Sequence, residues 1–186
     1  MKNIYTVIMF ELDDVKYEDT EPFIPPITHG KVIKVYDGDT ITIAAMLPYE
    51  DSILYRFSVR INGIDCPEMR TKDKDEKKCA IIAKNLIMEK AMDKIVLLKN
   101  VQTEKYGRLL ADVICDGDSL AELLLKARLA IKYDGGKKNT PKNWIKYYSQ
   151  GEINEIDNAP KKIPFYKRMA NNKLFKNIVL NRFRKK

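Results

Sequence analysis

Two short acidic motifs and two arginines are the residues of this chain whose types and spacing could do chemistry: Asp37-Gly38-Asp39-Thr40, Asp65-Cys66-Pro67-Glu68, Arg60 and Arg108. Asp-Gly by itself usually marks a turn. The same tripeptide recurs at Asp116-Gly117-Asp118, where it joins a strand-like run to a helix-like one, so the first motif alone reads as a turn. The second motif says more. Pro67 has a fixed φ and no N–H, so it holds Asp65 and Glu68 in non-helical backbone and aims two acids at one region. Arg60 lies in the run that leads into that motif, and Arg108 directly follows Tyr106-Gly107. Both stand where an acidic substrate would need a guanidinium. Taken singly, such residues are often surface ion pairs worth less than ~1 kcal/mol. The whole set together is harder to read that way.

The rare residues narrow the chemistry. His29 is the single histidine, which excludes paired-histidine acid/base catalysis and an H-E-x-x-H zinc site; it reads as an incidental loop residue. Cys66, Cys79 and Cys115 are odd in number and widely spaced, which suggests free thiols in a reducing compartment. Cys79 and Cys115 fall on apolar faces and are expected in the core. Ile4 to Phe10 is followed by acids with no small-residue cleavage site, and no apolar run approaches the ~20 residues of a membrane span. An intracellular protein, cytoplasmic in its simplest reading, is expected.

The elements that must position these groups follow from periodicity. Residues 1–30 are an acidic, proline-containing extension. Val32–Tyr36, Thr40–Met46 and Tyr55–Ile61 alternate with β-branched and aromatic residues and predict three strands. In the third, Tyr55, Phe57, Val59 and Ile61 share a face expected to be core, with Arg56, Ser58 and Arg60 opposite. Residues 69–78 read as a charged loop, followed by a helix over 79–92. Ile95–Leu98 and Leu109–Cys115 predict a strand pair, and Ser119 with Glu122 predicts a capping box for an apolar helix, Leu120–Leu129. Five strands joined by short turns, with helices at the edge, predict an α+β protein: a five-stranded OB-fold β-barrel with two to three helices packed at its edge. Residues 134–159 read as a segment packed on that barrel, with Trp144 holding it there.

At this point the motifs resemble a known family. Val35-Tyr36-Asp37-Gly38-Asp39-Thr40, Arg60-Ile61-Asn62-Gly63-Ile64-Asp65-Cys66-Pro67-Glu68 and Lys105-Tyr106-Gly107-Arg108 are similar, in order, to the three signature blocks of the staphylococcal (thermonuclease-type) nuclease family. The likeness covers about residues 31–133. It implies a calcium ion held by Asp39, Asp65 and the backbone carbonyl of Cys66, Glu68 as the base for an attacking water, and Arg60 and Arg108 as the clamp on the phosphate. It further implies Lys105 and Tyr106 beside the neighbouring phosphate, Tyr133 beside a base, and 3′-phosphate products from DNA or RNA with little sequence preference. Calcium takes 6–8 oxygens, so water and substrate must complete that set. No haem or nucleotide cofactor is implied.

Some positions depart from the family. Cys66 stands where threonine is found in its best-known member, Glu104 where an aspartate is expected, and the connection Met46–Leu54 is long for a hairpin. The alternative function is a catalytically silent nucleic-acid or protein-binding module on the same fold. A membrane-surface role through Leu174, Phe175, Ile178, Val179 and Phe183 is the disfavoured third class.

Charge divides the chain. It has 34 Lys and Arg against 26 Asp and Glu, a net +8. From Pro160 to Lys186 there are ten basic residues and no acid, which leaves 24 basic and 26 acidic residues elsewhere, a net −2. The basic tail 160–186 is therefore expected to supply non-specific phosphate contacts to a nearly neutral body.

Overall fold

Alternating runs of β-branched residues form strands β1 (His29–Val35), β2 (Thr40–Met46) and β3 (Leu54–Ile61). The computed structural model describes residues 12–104, 106–136 and 138–150. Residues 1–11, Lys105 and the basic tail lie outside the described residues, so the expectations for Lys105 and for 160–186 have no structural counterpart here. After β3 the chain forms β4 (Ile64–Asp65), helix α1 (Lys74–Ala91), β5 (Ile95–Thr103), β6 (Leu109–Cys115), β7 (Asp118–Ser119), α2 (Leu120–Lys126), β8 (Ile131–Lys132) and α3 (Trp144–Gln150).

The strands run β3-β2-β1-β5-β6 as antiparallel neighbours, and β3 pairs with β6 in parallel to close the sheet on itself. The result is a closed, mixed five-stranded barrel with, among the described residues, three α-helices, the α+β, OB-like architecture expected from the sequence. Closure leaves the five strands without an open edge along their shared length. Val32, Ile41, Ile43, Val59, Ile61, Val96 and Val113 fill the interior, and Cys79, Ala83 and Ile87 of α1 seal one end. Cys79 and Cys115 are both buried, as their apolar faces predict. Trp144 joins the same core, and α3 packs against α1. Among the described residues no helix is long and apolar enough to cross a membrane.

Several boundaries differ from the sequence expectation, each for a local reason. The charged loop ends at Asp73, because its carboxylate accepts from the N–H groups of Asp75 and Glu76 and caps α1 five residues early. Asp75 and Glu76 then suit the positive helix end. Tyr55 is exposed, because β3 enters the barrel only near Phe57. His29 opens β1 instead of lying in a loop. Strand β5 continues five residues past Leu98, through a register shift between Lys99 and Gln102. At Ser119 only half of the capping box forms: Ser119 Oγ accepts from Glu122 N, while Glu122 reaches forward to Lys126 at 2.8 Å. Helix α2 stops at Lys126 because Arg128 takes a left-handed φ of 56°.

Candidate active site

Strand register gathers the reactive set at one barrel rim. Thr40 pairs with Arg60 across β2 and β3, and Arg60 pairs with Leu110 across β3 and β6, so Asp39, Arg60 and Arg108 meet although far apart in sequence. Strands β4 and β8 form a two-stranded ribbon in which Asp65 faces Ile131, and Tyr133 N donates to the Gly63 carbonyl at 3.0 Å. That ribbon brings Asp65 and Tyr133 to the same rim.

The two site glycines do different work. Gly63 has φ of 78°, which turns the chain from β3 into the Asp65 motif. A Cβ on Gly38 would lie 2.8 Å from both Ala83 Cβ and Cys66 Sγ. The first acidic motif is therefore a packed corner against α1. Its sequence twin at Asp116-Gly117-Asp118 is an ordinary turn, with positive φ at Asp116 and Gly117 and with both acids paired to lysines outside the barrel.

A continuous chain of polar contacts crosses the rim. Glu104 grips Arg108, whose Nη1 donates to Thr40 Oγ1 at 3.4 Å, and Thr40 Oγ1 donates to Asp39 Oδ1 at 3.0 Å. Arg60 Nη1 lies 2.8 Å from Asp39 Oδ2, and its Nη2 lies 2.9 Å from Asp65 Oδ1 and donates to the Ile64 carbonyl. Asp39 and Asp65 are only 5% and 3% exposed, so the guanidinium between them offsets charges that burial would otherwise make costly. Burial works to lower the pKa of Arg60, and the charges of Asp39 and Asp65 outweigh it and raise the value.

Cys66 N donates to Asp39 Oδ2 at 3.1 Å, which locks the two acidic motifs together. Burial first, then the charges of Asp39, Asp37 and Asp65, push the Cys66 thiol well above its ordinary range. Glu68 reaches solvent, its side chain 60% exposed, and its backbone N–H donates to Glu76 of α1. Tyr133 has Arg60 and Lys138 over its ring at 5.9 and 5.8 Å. Tyr106 stands exposed at the edge. All of these except Asp65, Glu76 and Thr40 line one cleft of about 610 Å3. Of the residues read from the sequence as site residues, Arg60, Glu68, Arg108, Asp39, Cys66, Tyr106 and Tyr133 thus line one cleft, and Asp65 joins them through its ion pairs with Arg60 and Lys138.

Two further residues belong to the site. Asp37 lines the cleft, yet its Oδ1 is buried with no hydrogen-bond partner. Burial, with the charge of Asp39 adding to it, raises its pKa from 3.8 to about 7. Reading Asp-Gly as a turn hid it, although its place two residues before Asp39 was visible. Lys138 puts Nζ 2.9 Å from Asp65 Oδ1 and 3.5 Å from Glu68 Oε1. Nothing in the spacing of Gly135-Gly136-Lys137-Lys138 signalled that contact.

Calcium is tested by the donors present. Among the described residues no three His, Cys, Asp or Glu side chains converge to hold an ion unaided. The donors at hand are nevertheless hard oxygens, and Asp37 Oδ1 is a buried acceptor with nothing to accept from. That combination fits an open oxygen site completed by water and phosphate.

The family profile described as "Staphylococcal nuclease homologue" matches residues 58–152, just over half of the chain. The chain belongs to this family. Among curated proteins it is similar to an "Uncharacterized 38.1 kDa protein" of Capnoides sempervirens, with 29% identity over 84 residues. That likeness covers 45% of this chain and 23% of the relative, so the chain spans about a quarter of that protein. The staphylococcal nuclease match contains Arg60, Asp65, Cys66, Glu68, Arg108 and Tyr133, and Lys138 as well. Staphylococcal nuclease homologues include both active nucleases and non-catalytic members.

Proposed function

We propose that this protein is a calcium-dependent nuclease that hydrolyses phosphodiester bonds of DNA, RNA or both with low sequence specificity. What carries the reading is one arrangement: the Arg60 guanidinium, which joins Asp39 to Asp65, lines the same cleft as Asp39, Glu68 and Arg108. Asp39, Asp65 and the Cys66 carbonyl would hold the ion, with Asp37 beside them; when bound, calcium supplies positive charge next to the phosphate.

The remaining work falls to the chain's own groups. Glu68, exposed and acceptor-only when ionised, takes a proton from the water whose oxygen attacks phosphorus. The bond from phosphorus to the 5′ oxygen breaks, that oxygen takes a proton from solvent, and the phosphate stays on the 3′ side. Arg60 and Arg108 stabilise charge that builds on the phosphate oxygens, a task to which planar guanidinium groups are suited. Tyr133 offers a ring on which any base can stack, and Tyr106 and Lys105 extend the phosphate path.

In this reading residues 31–133 carry the nuclease barrel, 134–159 pack on it, 160–186 supply non-specific phosphate contacts, and 1–30 form an extension. Three free, buried cysteines suit an intracellular, cytoplasmic setting. One observation favours the binding-module alternative: acids of the chain itself engage both arginines, Arg108 through Glu104 and Arg60 through Asp39 and Asp65. The deciding experiment is a digestion series on single- and double-stranded DNA and RNA, with calcium and with chelator, and with product ends identified. Calcium-stimulated cleavage leaving 3′-phosphates is expected. Binding without cleavage at every calcium level would establish the module instead.

A further inference from the structure

We propose that Lys138 is a resident counter-cation of the candidate metal site, one that a divalent ion must displace before it can bind. The inference rests on the proposed calcium site and concerns what guards it. Asp65 Oδ1 already accepts from Arg60 Nη2 and from Lys138 Nζ, each at 2.9 Å. An oxygen holding two cationic donors has little room for a third cation, and the donor with freedom to leave is the lysine. Arg60 is buried and tied to Asp39, Asp65 and the Ile64 carbonyl, whereas the Lys138 side chain is 44% exposed.

The same ammonium lies 3.5 Å from Glu68 Oε1, so it neutralises the carboxylate assigned to the base as well. Its segment lies outside the strands and helices that fix the rest of the site. Lys138 follows Gly135, whose φ is 93°, and Gly136, and the backbone between Tyr133 and α3 belongs to no strand or helix among its described residues. A bound divalent ion would repel the ammonium at this range, so the two exclude each other and Lys138 raises the calcium concentration at which the site fills.

The test is calcium titration by isothermal calorimetry on the full chain without substrate, comparing wild type, Lys138→Gln and Lys138→Arg. The coupling between competing ligands typically spans about 5- to 150-fold, and Lys138→Gln is expected to bind calcium roughly tenfold more tightly. Lys138→Arg keeps the charge and is expected to stay near wild type. A Gln variant that binds no more tightly than wild type, while both bind, overturns the resident-cation role and leaves the calcium site standing. Absence of binding by every variant overturns the site and this proposal together. Wild-type protein supplies an independent readout that needs no variant to fold: amide exchange at Gly135, Gly136 and Asn139 should speed up on adding calcium, and unchanged exchange overturns the displacement.

Discussion

Glu104 grips Arg108 with both carboxylate oxygens, Oε2 at 2.6 Å from Nε and Oε1 at 2.9 Å from Nη2, across a turn closed by Glu104 N donating to the Arg108 carbonyl. The pairing leaves Nη1 directed at Thr40 and the cleft. Glu104 therefore sets the direction in which Arg108 presents Nη1. Glu104→Ala should lower stability by no more than about 1 kcal/mol, because the pair is partly exposed. Catalytic geometry is less tolerant, and cleavage should fall by up to about 100-fold. Urea denaturation beside initial rates separates the two effects; equal rates would remove Glu104 from positioning.

Arg60 predicts the opposite balance. Its guanidinium compensates two buried acids, and removing one member of such a set leaves charges without a partner. Arg60→Met should cost about 3–5 kcal/mol of stability, read by urea denaturation. A second substitution, Asp65→Asn, should recover part of that loss, and a double variant no more stable than Arg60→Met would argue against the ion pair as the cause.

Glu68 carries no such structural burden. Its side chain is exposed and its backbone, not its carboxylate, is what Glu76 holds. Glu68→Gln should leave folding and nucleic-acid affinity close to wild type and lower turnover by about 10²- to 10⁴-fold. Near-normal turnover would take the base role away from it.

Asp37 predicts a pH signature in chelator. Its folded value, about 7, lies above the ordinary 3.8, so the folded state favours its proton. That contribution is fully present below the ordinary value and is lost as pH rises through the folded one. Asp37→Asn, which cannot ionise, should match wild type in acid, become progressively the more stable of the two as pH rises from 3.8 to about 7, and keep a constant advantage above that. Melting temperatures from pH 3.8 to about 7 check it, and a constant difference over that range would rule out Asp37 as the source.

The basic tail predicts a salt effect. Deleting 160–186 removes ten positive charges, so nucleic-acid binding should weaken and its dependence on salt should flatten. Cleavage chemistry at saturating substrate should persist. An unchanged salt slope would assign that charge to another partner.

Sequence alone determined much of this protein, because the relevant forces act over a few residues. Alternation marked β2 from Thr40 to Met46 and β6 from Leu109 to Cys115 at their observed limits. The stiff Asp65-Cys66-Pro67-Glu68 motif and its two arginines pointed to one cleft, and the order of three motifs indicated the family. Where local rules failed, a neighbour in space had decided. The corner at Gly38 is packed because Cys66 and Ala83 leave no room for a Cβ, while the same tripeptide at Gly117 is a free turn. One carboxylate oxygen of Asp37 became buried without a partner only when the barrel closed over it, and Lys138 reached Asp65 from 73 residues away through the β4–β8 ribbon. Tertiary structure also showed that Arg60 bridges Asp39 and Asp65. Burial and long-range charge are properties of the closed barrel, and periodicity along the chain does not encode them.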